Sequence, residues 1–171
     1  DNGIFWNTGD ESDEMGHISE DPQIRIKMMD KRMSRLDLIL DSVPIIQQAI
    51  SFGVHDYTII SWGSTKGPII DAQSMLKKEG IDIGFIQIKL LHPFPTKHVQ
   101  SLLKGAKVLI DIEANHSGQL GKIFKQNISR DIDYHILKYT GRGMTSTEIY
   151  DSLKKIVENK AAKREVLSHG A

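Results

Sequence analysis

The stretch YTIISWGSTKG, Tyr57 to Gly67, decides how this chain is read. Its first six residues are rich in β-branched and aromatic side chains and too few for a buried helix, so they predict a buried strand. Gly63 to Pro68 then makes a turn. Ile69 to Glu79 follows as a helix, with Ile69, Ala72, Met75 and Leu76 on one face and Gly80 just past its end. Strand, glycine turn and helix in that order make the first half of a βαβ unit.

The same alternation continues toward the C-terminus. Ile83 to Leu91 reads as a strand broken by Pro93 and Pro95, and Thr96 to Lys104 as a short helix. KVLIDIE (Lys107 to Glu113) is the next strand. Ser117 to Asn127 is a helix with Leu120, Ile123 and Phe124 inward. Tyr134 to Tyr139 is a strand. Thr145 to Asn159 is the last long helix, opened by a Thr145/Glu148 capping box and carrying Ile149, Leu153, Ile156 and Val157 as its stripe. The residues from Lys160 to Ala171 lose periodicity and are expected to fray.

Toward the N-terminus, Ile45 to Ile50 reads as a short strand. Before it, Asp21 and Pro22 open a helix whose Met29, Met33, Leu36 and Leu40 recur at helical spacing, and Pro44 marks its end. Arg25, Lys27, Lys31, Arg32 and Arg35 crowd the rest of that helix. Such a face can take phosphate or nucleic acid, but it is more often simply a solvated surface, and is read as one here. Asp1 to Asp21 carries Asp10, Glu11, Asp13, Glu14, Glu20 and Asp21 and no Lys or Arg, and reads as an acidic linker from an upstream domain. Phe5 and Trp6 within it suggest docking. The expected divisions are a linker at 1–21, a linking helix at 22–42, an α/β domain at 43–159 and a tail at 160–171. The domain is expected to be three layers, α/β/α, around a mostly parallel sheet with right-handed crossovers.

Composition narrows the function. The chain has 171 residues, 39% hydrophobic and 26% charged, with a formal net charge of zero. No overall field attracts nucleic acid or an anionic membrane, so neither is expected as a partner. There is no cysteine, which excludes disulfides and cysteine-held zinc or iron–sulfur clusters within these residues. No apolar run approaches the roughly 18 residues of a membrane span, and no leader-like segment is visible, so a cytoplasmic protein is expected. The start at Asp1 without Met leads us to expect a piece of a longer chain.

Open α/β sheets bind ligands beyond the carboxyl ends of their strands. That rim is expected to hold Gly63, Ser64, Thr65, Lys66 and Gly67 after the first strong strand and His92 after the second. Glu113, Asn115 and Gln119 follow the third, and Lys138 and Arg142 the last. GSTKG invites a phosphate reading, with Lys66 supplying charge, but it matches neither GxxxxGK[ST] nor GxGxxG, and a tight turn explains its glycines as well. Asp111 and Glu113 share one strand face by the period of two, and with His116 raise a metal site, although no second histidine stands at a ligand spacing. Ser117 is the expected cap of the following helix. Lys138 and Arg142 either grip a carboxylate across an interface or lie in a solvated loop.

Five strings then occur in a fixed order: DEMGHISEDP (Asp13 to Pro22), SWGSTKGPIIDA (Ser61 to Ala72), LHPFP (Leu91 to Pro95), IEANHSGQLGKI (Ile112 to Ile123) and ILKYTGRGMTSTEI (Ile136 to Ile149). Together they resemble the C-terminal part of the alpha subunit of 2-oxoacid:ferredoxin oxidoreductases, from about Gly9 to Val157. Met15, Asn115-His116 and Gly143-Met144 depart from the pattern seen in relatives. The resemblance implies a transketolase C-terminal-domain-like fold: five strands in the order 1-3-2-4-5, the first an antiparallel edge strand, here Ile45 to Ile50. It implies an enzyme that converts a 2-oxoacid and coenzyme A to acyl-coenzyme A and carbon dioxide while reducing ferredoxin. Thiamine diphosphate, Mg2+ and a [4Fe-4S] cluster would lie with the beta subunit, and the pyrimidine-binding domain upstream. It carries no catalytic residue onto this stretch, which is expected to bind no cofactor itself and to serve assembly. A self-contained flavodoxin-like nucleotide or flavin domain, and the same domain of a transketolase or dehydrogenase E1 enzyme, are the alternatives.

Overall fold

The structure, a computed structural model, describes residues 7–169. Phe5 and Trp6, expected to dock, lie outside the described residues. The chain divides into two packing units, one through Val43 and one from Pro44 onward.

In the first unit, α1 (Pro22–Ser42) starts where Asp21 Oδ1 accepts the N–H groups of Gln23 and Ile24 at 2.8 and 3.1 Å. None of its residues is buried. Three of its basic residues are paired within this unit: Arg25 and Arg32 both donate to Glu11, and Lys27 pairs with Glu14.

The second unit is a three-layer α/β/α domain on a six-stranded sheet, in the order β1-β3-β2-β4-β5-β6. The strands are β1 (Ala49–Ser51), β2 (Tyr57–Trp62), β3 (Gly84–Ile88), β4 (Val108–Glu113), β5 (Tyr134–Leu137) and β6 (Arg164–Val166). The first is antiparallel to β3 and all other pairs are parallel.

The expected strand over Ile45 to Ile50 is divided: Ile45–Gln48 is one helical turn, α2, and only the residues after it pair. Pro44 sets the first turn, and Gln48 O then accepts Lys89 N and Leu90 N at 2.9 and 3.0 Å. That capture also ends β3 at Ile88, three residues short of the expected end. The expected count of five strands becomes six because the presumed fraying tail is tied down. Leu167 N donates to Leu137 O at 2.8 Å, His135 N donates to Lys163 O at 2.9 Å, and Leu167 is buried.

Period-two alternation splits the sheet's side chains into two cores. Ile59, Phe85, Ile110, Ile112 and Ile136 face α3 (Lys66–Lys78) and α6 (Ser146–Val157). Ile60, Ile86, Ile88 and Leu109 face α4 (Thr96–Leu102) and α5 (Gln119–Ile128). The Thr145/Glu148 capping box is complete on both sides. Among the described residues no helix is long and apolar enough to cross a membrane.

Candidate functional site

The helices after β2 and β4, two hydrogen-bonded parallel neighbours, go to opposite faces of the sheet. At such a point the chain leaves a crevice at the carboxyl ends of the strands. A cavity of about 380 Å3 lies there, lined by Trp62, Gly63, Ser64, Thr65, Ala114, Asn115 and Gln119.

Glu113, the last residue of β4, is fully buried behind this cleft. Its Oε1 accepts Leu120 N at 2.8 Å and Gly121 N at 3.3 Å. Its Oε2 accepts the Trp62 indole N–H at 3.0 Å and the Asn115 amide at 2.7 Å. Burial alone would raise its pKa. The Asp111 carboxyl and the Leu120, Asn115 and Trp62 donors outweigh burial and hold it below the ordinary carboxylate range. The carboxylate therefore does the work expected of Ser117: it satisfies the orphan amides at the start of α5 and sits at the positive end of that helix. Asn115 Oδ1 accepts Ser117 N and Gly118 N at 3.1 and 2.8 Å and shapes the turn between them.

Beneath α5 lies a second acid. Asp111 shares the strand face of Glu113 and is fully buried. Burial, and then the neighbouring Glu113 carboxylate, push its pKa up to about 10, so it is a neutral carboxylic acid at pH 7. Its partner is His135, directly opposite on β5, with Nδ1 3.0 Å from Oδ2. Burial foremost lowers the His135 pKa, so two uncharged groups share this hydrogen bond. Asp111 Oδ1 has no hydrogen-bond partner among the described residues. α5 lies so close over the pair that a Cβ on Gly121 would stand 3.0 Å from His135 Cε1 and 3.2 Å from Asp111 Oδ2. Gly118 adds a left-handed turn, φ 59°, just before the helix.

The cleft gathers five of the residues expected at the rim: Gly63, Ser64, Thr65, Asn115 and Gln119, with Glu113 behind them. Ser61 bridges Thr65 Oγ1 and Ile112 O, each at 2.5 Å, and fixes the turn. Lys66 and Gly67 belong to the first turn of α3. The Lys66 ammonium lies 5.1 Å from the Phe52 ring centroid and does not line the cleft, so it adds no charge there to a phosphate reading of GSTKG. His92 is exposed on the loop after β3, before a cis Pro93, and does not line the cleft.

Lys138 corrects the expectation of a solvated or intermolecular cation. It is 2% exposed, and its Nζ donates to both Glu148 oxygens at 3.0 and 2.8 Å and to the carbonyls of Gly143 and His169 at 2.8 Å each. Arg142 remains exposed. The metal reading of Asp111, Glu113 and His116 loses its third member: the His116 ring tilts against Tyr139, centroids 4.8 Å apart. His135 was invisible in the sequence because its relation to Asp111 depends on the register of β4 and β5, 24 residues apart. Trp62 was visible only as strand. No short-range signal shows that its indole reaches Glu113.

Comparisons with known proteins agree with this architecture. The pyruvate:ferredoxin oxidoreductase core domain II family matches residues 55–149. The 2-oxoacid:ferredoxin oxidoreductase subunit alpha of Saccharolobus solfataricus is 39% identical over 166 residues, covering 96% of this chain and 26% of that one. The 2-oxoacid:ferredoxin oxidoreductase 2 subunit alpha of Aeropyrum pernix is 37% identical with the same coverage. The chain thus spans about a quarter of the length of the curated relatives it matches. The 2-oxoglutarate:ferredoxin oxidoreductase from Magnetococcus marinus, solved with 2-oxoglutarate, coenzyme A and succinyl-CoA bound, has a TM-score of 0.75 at 28% identity, covering 90% of this chain and 27% of that one. A split-gene transketolase in its inactive beta4 tetramer has a TM-score of 0.52 at 17% identity, over 67% of this chain and 43% of that one, and shares the fold alone. The chain belongs to the pyruvate:ferredoxin oxidoreductase core domain II family.

Proposed function

We propose that these residues form a non-catalytic domain of the alpha subunit of a thiamine-diphosphate-dependent 2-oxoacid:ferredoxin oxidoreductase, and that the strand-end rim is its assembly face toward the beta subunit. The whole enzyme would oxidise a 2-oxoacid with coenzyme A to an acyl-coenzyme A and carbon dioxide, passing two electrons to ferredoxin. The observation that carries the reading is the state of Glu113. The carboxylate behind the cleft is engaged by four N–H donors of its own chain, so it is a structural anchor and not a free base. Around it the rim exposes Trp62, Tyr139 and Arg142, residue types enriched in the energetic centres of interfaces.

Thiamine diphosphate, Mg2+ and a [4Fe-4S] cluster belong on the partner in this reading. The residues here do not fit them: the chain has no cysteine. Among the described residues no three His, Asp or Glu side chains converge on a metal position. The flavodoxin-like alternative draws no support from Lys66, whose ammonium lies over the Phe52 ring and not in the cleft.

The test is reconstitution of the full alpha subunit with its beta subunit. We expect 2-oxoacid-dependent ferredoxin reduction by the assembly and none by the isolated chain. We expect Trp62→Ala to weaken association by at least about tenfold, as loss of an interface anchor does. Ferredoxin reduction by the isolated chain, or unchanged association with Trp62→Ala and Tyr139→Ala combined, would overturn the reading.

A further inference from the structure

The hydrogen bonds under α5 leave one atom over. Asp111 and Glu113 are both fully buried on one face of β4, two residues apart. Glu113 holds four N–H donors with its two oxygens. Asp111 Oδ2 meets His135 Nδ1 at 3.0 Å, and Asp111 Oδ1 has no partner among the described residues. Yet the two carboxyl groups stand within hydrogen-bond reach of each other. Two bare carboxylates cannot share a hydrogen bond, since each only accepts.

A hydrogen on Asp111 removes the conflict, and its position decides the rest. On Oδ2 it would point at the His135 ring and leave Oδ1 as a bare acceptor against the Glu113 charge. On Oδ1 it points at Glu113, and Oδ2 then accepts an N–H from His135 Nδ1. Only the second arrangement satisfies all three side chains. The neighbouring elements bring no other charge to the pair. α5 meets it with Gly118 and Gly121, and β2 sets Ile60 beside Asp111. Asp133, two residues before His135, is taken by Leu109 N at 2.8 Å. The next charge outward is Arg164 on β6, opposite His135, and it donates to His116 O. Lys138 and Glu148 are paired on the other face, at α6.

We propose that the hydrogen on Asp111 Oδ1, donated to Glu113, is the catch that seats α5. With it in place the pair carries one negative charge, which the start of the helix holds. Without it two charges lie buried side by side, and the start of α5 lifts from β4 and takes Asn115 and Gln119 of the cleft with it. Burial, and then Glu113, keep the hydrogen on Asp111 until pH reaches about 10, so the catch is closed at neutral pH and opens in alkali. It does not depend on what docks at the strand-end rim.

Two measurements on the 171-residue chain test this. Nitrogen-15 NMR at pH 7 is expected to show hydrogen on His135 Nδ1 and none on Nε2. Trp62 supplies the second readout, because its indole N–H rests on Glu113 Oε2, and Trp6→Phe leaves it as the one tryptophan. Its emission is expected to step as pH passes about 10, while the far-ultraviolet circular dichroism stays that of the folded chain. In Trp6→Phe with Asp111→Asn the amide donates to Glu113 and cannot ionise, so the step should vanish. Tyrosine ionisation is common to both chains and cancels. Hydrogen on His135 Nε2, a step that persists with Asp111→Asn, or one that coincides with global unfolding would each overturn the proposal.

Discussion

The indole N–H of Trp62 donates to Glu113 Oε2 at 3.0 Å, so the last residues of β2 and β4 are tied together across the cleft. This bond couples an exposed aromatic residue of the cleft to a fully buried carboxylate.

Replacing that charge is therefore expected to be costly. Glu113→Gln keeps the shape but turns one acceptor oxygen into a donor and removes the charge that four N–H groups point at. A loss of about 2–4 kcal/mol is expected, from hydrogen bonds to a charged group and the donors left unsatisfied. Urea unfolding followed by circular dichroism reads it. A loss under about 1 kcal/mol would mean that the carboxylate does not anchor α5.

Asp111 gives a pH signature of its own. Its folded pKa is raised from 3.8 to about 10. Below the unfolded value both states are protonated and the group has no effect on folding. As pH rises from about 4 toward 10 only the unfolded chain ionises, and stability falls. Asp111→Asn, which keeps a partner for His135 and cannot ionise, is expected to be more stable than the unaltered chain at pH 8, with a gain that shrinks toward pH 4. A gain that grew on acidification would show Asp111 to be charged in the folded protein.

These two acids also show what a sequence can and cannot display. The period of two put Asp111 and Glu113 on one strand face, and β4 forms as read from KVLIDIE. The caps at Asp21 and Thr145 were legible for the same reason, since each depends on residues within one helical turn. What the acids do was not legible, because it depends on distant partners: Trp62 at 51 residues, His135 at 24. The edge strand β6 escaped likewise. Three residues with no apolar alternation are held by backbone bonds to β5, and backbone bonds leave no mark in composition.

Two glycines that look alike in the sequence should respond in opposite ways. At Gly121 an added Cβ would meet His135 Cε1 at 3.0 Å and Asp111 Oδ2 at 3.2 Å, so Gly121→Ala must push α5 off the sheet and is expected to cost about 1–3 kcal/mol. At Gly67, in the first turn of α3, nothing lies within 4 Å of an added Cβ. Gly67→Ala is expected to be neutral or to stabilise by up to about 1 kcal/mol, through less freedom in the unfolded chain. Thermal melts of the two variants side by side decide it. Equal losses would mean that GSTKG needs its second glycine for something other than the turn.

Lys138 offers the sharpest separation between a charge that is merely buried and one that holds elements together. Its ammonium joins Glu148 on α6 to the carbonyls of Gly143 and His169, so one side chain fastens the loop after β5, the start of α6 and the segment after β6. Burial by itself would raise the Glu148 pKa, and the Lys138 and Thr145 contacts reverse that and hold it down. Lys138→Met leaves the carboxylate without its cation, and a loss of about 3–5 kcal/mol is expected, as for other half-removed buried pairs. Lys138→Met combined with Glu148→Gln removes the stranded charge as well and should recover part of that loss, although the two carbonyls stay unpaired. A double-mutant cycle in urea gives the coupling directly. If the double variant is no more stable than Lys138→Met alone, the carbonyl contacts and not the ion pair are what the lysine supplies.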